Sequence, residues 1–218
     1  FVFGDWSSDV CSSDLRMGFV IGDVSGKGIP AAIFMAVSRT LIRATGLKGM
    51  SPAECMNYVN HLLCTESVNS MFVTVFYGMM DKENDTLHFV NAGHNPPVLL
   101  RKDGTMEVFP MTCNIVLGII DGFGFTAHSI PFREGDVLVL YTDGVTEAFN
   151  SAQEEYGFDT LQELLREKVL KDPDVMSAAD TSEITCRTIT GDVARFAGDE
   201  EDRKSTRLNS SHRIRSRM

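Results

Sequence analysis

Between residues 71 and 142 the chain is cut into short apolar runs that read as strands, and this stretch constrains the fold more than any other. Six strands are predicted there, over 71–80, 86–92, 98–101, 106–109, 125–131 and 137–142. Turn-forming residues at 81–85, 102–104 and 133–136 supply hairpin turns between them. Before this run stands a buried strand over 17–24, then a helix over 31–44 with apolar spacing through Ile33, Phe34, Val37, Leu41 and Ile42. Pro30 sits where a first helical residue belongs, and Gly46 and Gly49 end the helix. Ser51-Pro52-Ala53-Glu54 reads as a capping box opening a second helix to about residue 66, with Cys55, Val59, Leu62 and Leu63 on one face. Two further helices are predicted over 159–171 and 182–196. Helices early and late around antiparallel strands predict an α+β fold with a sheet sandwich.

Both ends of the chain differ from what lies between them. Residues 1–15 show neither secondary-structure period and lack the layout of a signal peptide, while 202–218 are abruptly basic. Asp9 to Asp14 can be back-translated to DNA whose reverse complement, shifted by one base, encodes Asp202 to Arg207. Both stretches resemble a translated sequencing-library adapter, so the expected native domain is 16–201. Those residues carry 26 acids and 14 bases, a formal charge of −12. That charge argues against nucleic-acid binding, and the basic tail is not read as a nucleic-acid patch. No apolar run approaches the roughly 20 residues that span a bilayer, so no membrane segment is expected. The five cysteines, at 11, 55, 64, 113 and 186, are odd in number and unpaired in spacing, which points to a reduced, cytoplasmic setting. None is followed six positions later by Arg, so the loop of cysteine-nucleophile phosphatases is absent. Without HExxH or CxxC, a zinc site is not expected either.

Three segments carry chemical information. In Gly22-Asp23-Val24-Ser25-Gly26-Lys27-Gly28 a buried strand delivers Asp23 to a glycine-rich turn. The spacing is not that of a nucleotide-binding loop, and an Asp that merely caps the next helix is the alternative. In Leu138 to Glu147 a second apolar strand delivers Asp143 followed by Gly144. Two such carboxylate turns suit a hard divalent cation, which takes carboxylate, carbonyl and water oxygens. A plain type I turn is the alternative for Asp143. In Val90 to Pro97, His94 is either a general acid or a residue that fixes its turn by hydrogen bonds. The run Met71-Phe72-Val73-Thr74-Val75-Phe76 reads as core strand with no chemistry.

Together, Gly22 to Gly28, Met71-Phe72-Val73-Thr74, Asn91-Ala92-Gly93-His94-Asn95-Pro96-Pro97 and Tyr141-Thr142-Asp143-Gly144-Val145-Thr146-Glu147 resemble the SpoIIE-like bacterial branch of the metal-dependent (PPM, type 2C) serine/threonine protein phosphatases. The resemblance spans 16–201. It implies an αββα sandwich of two antiparallel sheets flanked by helices, here lacking its first and last strands. It also implies two divalent cations, Mn²⁺ or Mg²⁺, with Asp23 as the bridging and catalytic carboxylate. Val24 would ligate through its backbone carbonyl, and Asp143 would be a catalytic ligand of the other ion. Two family motifs, Gly-Gly-Asp before Asp23 and Asp-Asp-Ile-Thr after the last helix, fall where the adapter-like sequence stands. The implied reaction is hydrolysis of phosphoserine or phosphothreonine by a two-metal-activated water, with no covalent enzyme intermediate. The implied partner is a phosphorylated anti-anti-sigma-type protein, and the implied full-length protein carries a sensor domain. The rival expectation is a non-catalytic sensor or binding module on the same fold.

Overall fold

The computed structural model describes residues 16–66, 71–110 and 112–198, so the adapter-like stretches 1–15 and 202–218 lie outside the described residues. The chain divides into two compact units, one of residues 16–96 and 110–134, the other of 97–109 and 135–198.

The first unit is built on strands β1 (Arg16–Val24), β2 (Val73–Asp81), β3 (Thr86–Ala92) and β6 (His128–Pro131), paired antiparallel in the order β1-β2-β3-β6. The β1–β2 register sets Asp23 opposite Thr74 and Val24 opposite Val73. Helices α1 (Ile29–Gly46) and α2 (Pro52–Glu66) contribute Ile42, Met56, Val59 and Leu63 to a core shared with Val20, Val73, Val75, Tyr77 and Val90 of the sheet. The opposite sheet face is buried as well, through Phe19, Ile21, Phe76 and Phe89. Phe76 stacks on Phe89 at 5.3 Å and on Phe19 at 6.2 Å. Gly78 makes room for this stack, since a Cβ there would stand 2.4 Å from the Phe19 ring.

The capping box at α2 forms as the sequence predicts. The Ser51 N–H donates to Glu54 Oε2 at 2.9 Å, and the Glu54 N–H donates to Ser51 Oγ at 3.4 Å. The Ser51 hydroxyl and N–H hold the Glu54 carboxyl below its ordinary pKa. Helix α1 departs from its predicted face. Ile33 and Val37 are exposed, and the inward stripe runs through Phe34, Met35, Ser38, Leu41, Ile42 and Thr45. Ser38 and Thr45 tolerate burial because their hydroxyls donate to the Phe34 and Leu41 carbonyls one turn back, at 2.8 and 2.7 Å.

The second unit holds β4 (Val98–Leu100), β5 (Met106–Val108) and β7 (Val137–Val139), antiparallel in the order β5-β4-β7. Arg101, at the end of β4, donates to Glu107 at 2.7 Å and to Asp136 at 2.9 Å, tying the three strands together. Four helices follow: α3 (Asp143–Thr146), α4 (Gly157–Leu165), α5 (Pro173–Ser177) and α6 (Thr181–Phe196). Leu161, Leu165, Val169 and Ile189 pack with Val98, Leu100, Val137 and Val139. The predicted helix over 159–171 is therefore interrupted: α4 widens into a five-residue π-turn, Arg166–Leu170, before it ends. The predicted strand over 137–142 stops at Val139, because β4 offers partners only for Val137 to Val139. The turn at 133–136 is not a hairpin turn, since β6 pairs with β3 and β7 pairs with β4. The described residues thus form two antiparallel sheets with helices, the α+β class expected from the sequence.

Candidate functional site

Asp23 lies at the end of β1 with an exposed side chain, between the buried Gly22 and Val24. Its turn is held from β2 on both sides. The Ser25 N–H donates to the Phe72 carbonyl at 2.9 Å, and the Phe72 N–H donates to Ser25 Oγ at 3.0 Å. The Thr74 hydroxyl donates to the Asp23 carbonyl at 3.3 Å. In an antiparallel ladder, backbone groups face the partner strand at alternate residues. Ser25 faces β2, so Asp23 does too, and the Val24 carbonyl is directed away from it. Gly26 and Gly28 follow with φ of 94° and 84°. A Cβ would meet nothing within 4 Å at either position, so it is the backbone conformation that favours glycine there.

His94 is buried at the turn after β3. Its N–H donates to Asn91 Oδ1 at 2.8 Å, and Asn91 Nδ2 donates to its carbonyl at 3.0 Å. Thr74 Oγ1 lies 3.0 Å from His94 Nδ1. Of the two roles open to His94 in the sequence, this network supports the one that fixes the turn. It also brings in Thr74, which the sequence reading assigned no chemistry. The one sequence signal for Thr74 was its place in Met71-Phe72-Val73-Thr74; its partners are 51 and 20 residues away.

Asp143 belongs to the second unit, as the first residue of α3 and with an exposed side chain. The Glu147 N–H donates to the Asp143 carbonyl at 2.7 Å, and the Val145 N–H donates to the Thr142 carbonyl at 3.1 Å. Just before it, Tyr141 is buried and stacks on Phe158 at 5.8 Å, and burial pushes its phenol up to about 12. The short helix replaces the simple turn read from the sequence.

Among the described residues, no three His, Cys, Asp or Glu side chains gather as a metal cage. Asp23 with the Val24 carbonyl in the first unit, and Asp143 in the second, each present oxygen atoms only. That chemistry fits a hydrated Mg²⁺ or Mn²⁺, which takes one or two protein carboxylates and keeps several waters. Burial pushes the Cys55 thiol up to about 12 and also raises Cys64 and Cys186, which makes these three poor nucleophiles.

The fold is that of the PP2C phosphatases. The PP2C phosphatase domain of the cell-fate determinant SpoIIE from Bacillus subtilis matches at a TM-score of 0.72 and 19% identity, over 90% of this chain and 54% of that one. The family model for Stage II sporulation protein E (SpoIIE) matches residues 13–200, and the chain belongs to this family. Protein IcfG of Synechocystis sp. is 30% identical over 191 residues, 75% of this chain and 30% of that protein. Phosphoserine phosphatase RsbU of Bacillus subtilis is 30% identical over 155 residues, 69% of this chain and 45% of that protein. The chain thus spans less than half the length of these curated relatives. Among its described residues no helix is long and apolar enough to cross a membrane.

Proposed function

We propose that the chain is the phosphatase domain of a bacterial signalling protein and hydrolyses phosphoserine or phosphothreonine. Its substrate is a phosphorylated anti-anti-sigma-type regulator, and it works in the cytoplasm beside a sensor domain of the same protein. Asp23, the Val24 carbonyl and Asp143 are the proposed ligands of two divalent cations, Mn²⁺ or Mg²⁺. The observation that carries this reading is the exposed Asp23 carboxylate on a turn pinned through Ser25, Phe72 and Thr74. Family membership and the phosphoserine phosphatase name of RsbU agree with it.

When bound, such cations acidify water and neutralise phosphate oxygens. The chain's own part is to hold oxygen donors in place. The β1–β2 register aims the Asp23 side chain out of the sheet, and the ladder's alternation turns the Val24 carbonyl away from β2. At the second carboxylate, the α3 backbone bonds fix Asp143 beyond a buried, stacked Tyr141.

The 218-residue chain itself is expected to be nearly inactive. The test is therefore phosphate release from a phosphoserine peptide by a version with the Gly-Gly-Asp and Asp-Asp-Ile-Thr segments restored, in Mn²⁺, in excess chelator, and for its Asp23→Asn variant. Hydrolysis in Mn²⁺ that both chelator and the substitution abolish is expected. Undiminished release in chelator overturns the metal reading. A folded, Mn²⁺-loaded restored version with no release supports the non-catalytic module instead.

A further inference from the structure

We propose that Thr74 and His94 are positioning residues that orient the Asp23 carboxylate and the Val24 carbonyl. This rests on the reading of Asp23 and Val24 as metal ligands. Thr74 stands directly across the ladder from Asp23, and its hydroxyl donates to the Asp23 carbonyl at 3.3 Å. A threonine hydroxyl has a single proton. With that proton committed to Asp23, His94 Nδ1, 3.0 Å away, is the donor to Thr74 Oγ1. The relay runs from His94 Nδ1–H through the Thr74 hydroxyl to the Asp23 carbonyl, and it selects the Nδ1-protonated tautomer of His94. His94 is itself anchored, since Asn91 binds both its N–H and its carbonyl. The Asn91 backbone carbonyl in turn accepts from Thr112 Oγ1 at 2.7 Å.

The Asp23 carbonyl belongs to the peptide that joins Asp23 to Val24. Fixing that peptide bears on the Cα–Cβ direction of Asp23 and on where the Val24 peptide begins, while the Val24 carbonyl itself lies in the peptide whose Ser25 N–H is bonded to Phe72. Ser25 and Phe72 hold the far side of the same turn. The ladder already ties the peptide after Asp23 to β2, and the Thr74 hydroxyl adds a second hold on the same carbonyl. Without it the peptide keeps its strand pairing but loses the side-chain contact that sets the finer tilt of Asp23.

The test compares the full chain with Thr74→Val, Thr74→Ser and Asp23→Asn. Mn²⁺ affinity is read from free Mn²⁺ by electron paramagnetic resonance, folding from melting in excess chelator, and the His94 tautomer from ¹⁵N shifts. Thr74→Val keeps the β-branched shape, so its chelator melt is expected near that of the parent while its Kd for Mn²⁺ rises about tenfold. Thr74→Ser restores the affinity. The ¹⁵N shifts place the proton on Nδ1 in the parent and show it redistributed in Thr74→Val. A folded Thr74→Val with parental Mn²⁺ affinity, alongside an Asp23→Asn that has lost it, overturns the positioning role alone. Parental affinity in Asp23→Asn overturns the metal reading beneath it. If Thr74→Val does not fold, Thr74→Ser decides: a tenfold loss of affinity with its hydroxyl present refutes the proposal, and retention together with the Nδ1–H tautomer supports it.

Discussion

Gly22 lies against Thr74 so closely that a Cβ at position 22 would stand 2.6 Å from the Thr74 carbonyl oxygen and 3.3 Å from a Val75 methyl. The nearer obstacle is backbone in a paired strand, which cannot rotate aside as a side chain would. Gly22→Ala therefore forces β1 away from β2 one residue before Asp23. The expected cost is about 1–3 kcal/mol, the range for overpacking a tight contact. A urea midpoint that falls with an unchanged slope checks this. Mn²⁺ affinity should fall too, because the displaced segment carries Asp23 and Val24. Parental stability in Gly22→Ala would show that the strand pair has slack the structure does not display.

Asn60 holds the segment around Gly118 to α2. It is buried, its Oδ1 accepts from the Gly118 N–H at 2.9 Å, and its Nδ2 donates to the Ile120 carbonyl at 2.8 Å. Replacing it with Leu strands both backbone groups, at a cost of roughly 2–4 kcal/mol. Asp at this position keeps the acceptor for Gly118 and loses the donor to Ile120. Thermal denaturation should therefore rank Asn60→Leu and Asn60→Asp both below the parent, with slower hydrogen-exchange protection lost at Gly118 in the Leu variant only. Protection retained at Gly118 in Asn60→Leu would show that other contacts hold the segment.

The elements that could be read from the sequence are those whose information is local. The capping box at Ser51 and Glu54, the strand over 86–92 and the helix beginning near Pro30 are each written within a few residues, and each forms. Three features needed partners far along the chain. Whether Leu140 to Thr142 continue β7 depends on the length of β4. Which apolar stripe of α1 turns inward depends on the sheet, which takes Phe34 and Ile42 and leaves Ile33 and Val37 outside. Thr74 gains its interest only from the register that sets it opposite Asp23 and near His94. Asp23 and Asp143 stand out as candidates in the sequence because each follows an apolar run and precedes a glycine within a few residues, a pattern contained in one short segment.

Tyr141 gives a prediction about alkaline pH. Burial raises its phenol from an ordinary 10 to about 12, so the folded state favours the neutral form. That contribution to stability is fully present below pH 10 and is lost as pH climbs from 10 through 12, where the unfolded chain ionises and the folded chain does not. One tyrosine changes stability by at most about 1.4 kcal/mol per pH unit in that window. Tyr156 is shifted in the same direction, by burial first and then by its bond to Asp192. Tyr141→Phe should thus lose less stability than the parent between pH 10 and 11.5, without abolishing the loss. Urea midpoints across that range check it, and identical slopes for the two proteins would refute the assignment.

The last prediction separates specific metal binding from the general attraction of an acidic chain for cations. The chain carries a formal charge of −10, which alone concentrates divalent ions near its surface. A ligand that binds only the folded state stabilises it by about 2.7 kcal/mol at a hundredfold excess over Kd. Mn²⁺ should therefore raise the melting temperature of the parent. Asp143 is exposed, and the bonds that shape its turn use its backbone carbonyl, not its carboxylate. Asp143→Asn should consequently melt like the parent in chelator, yet lose much of the gain in Mn²⁺. Glu83→Gln, which removes the same charge from an exposed turn between β2 and β3, should keep the full gain. Differential scanning calorimetry of the three proteins, each with and without Mn²⁺, decides the matter. Equal gains in all three would mean that the stabilisation comes from diffuse charge, and Asp143 would lose its place among the proposed ligands.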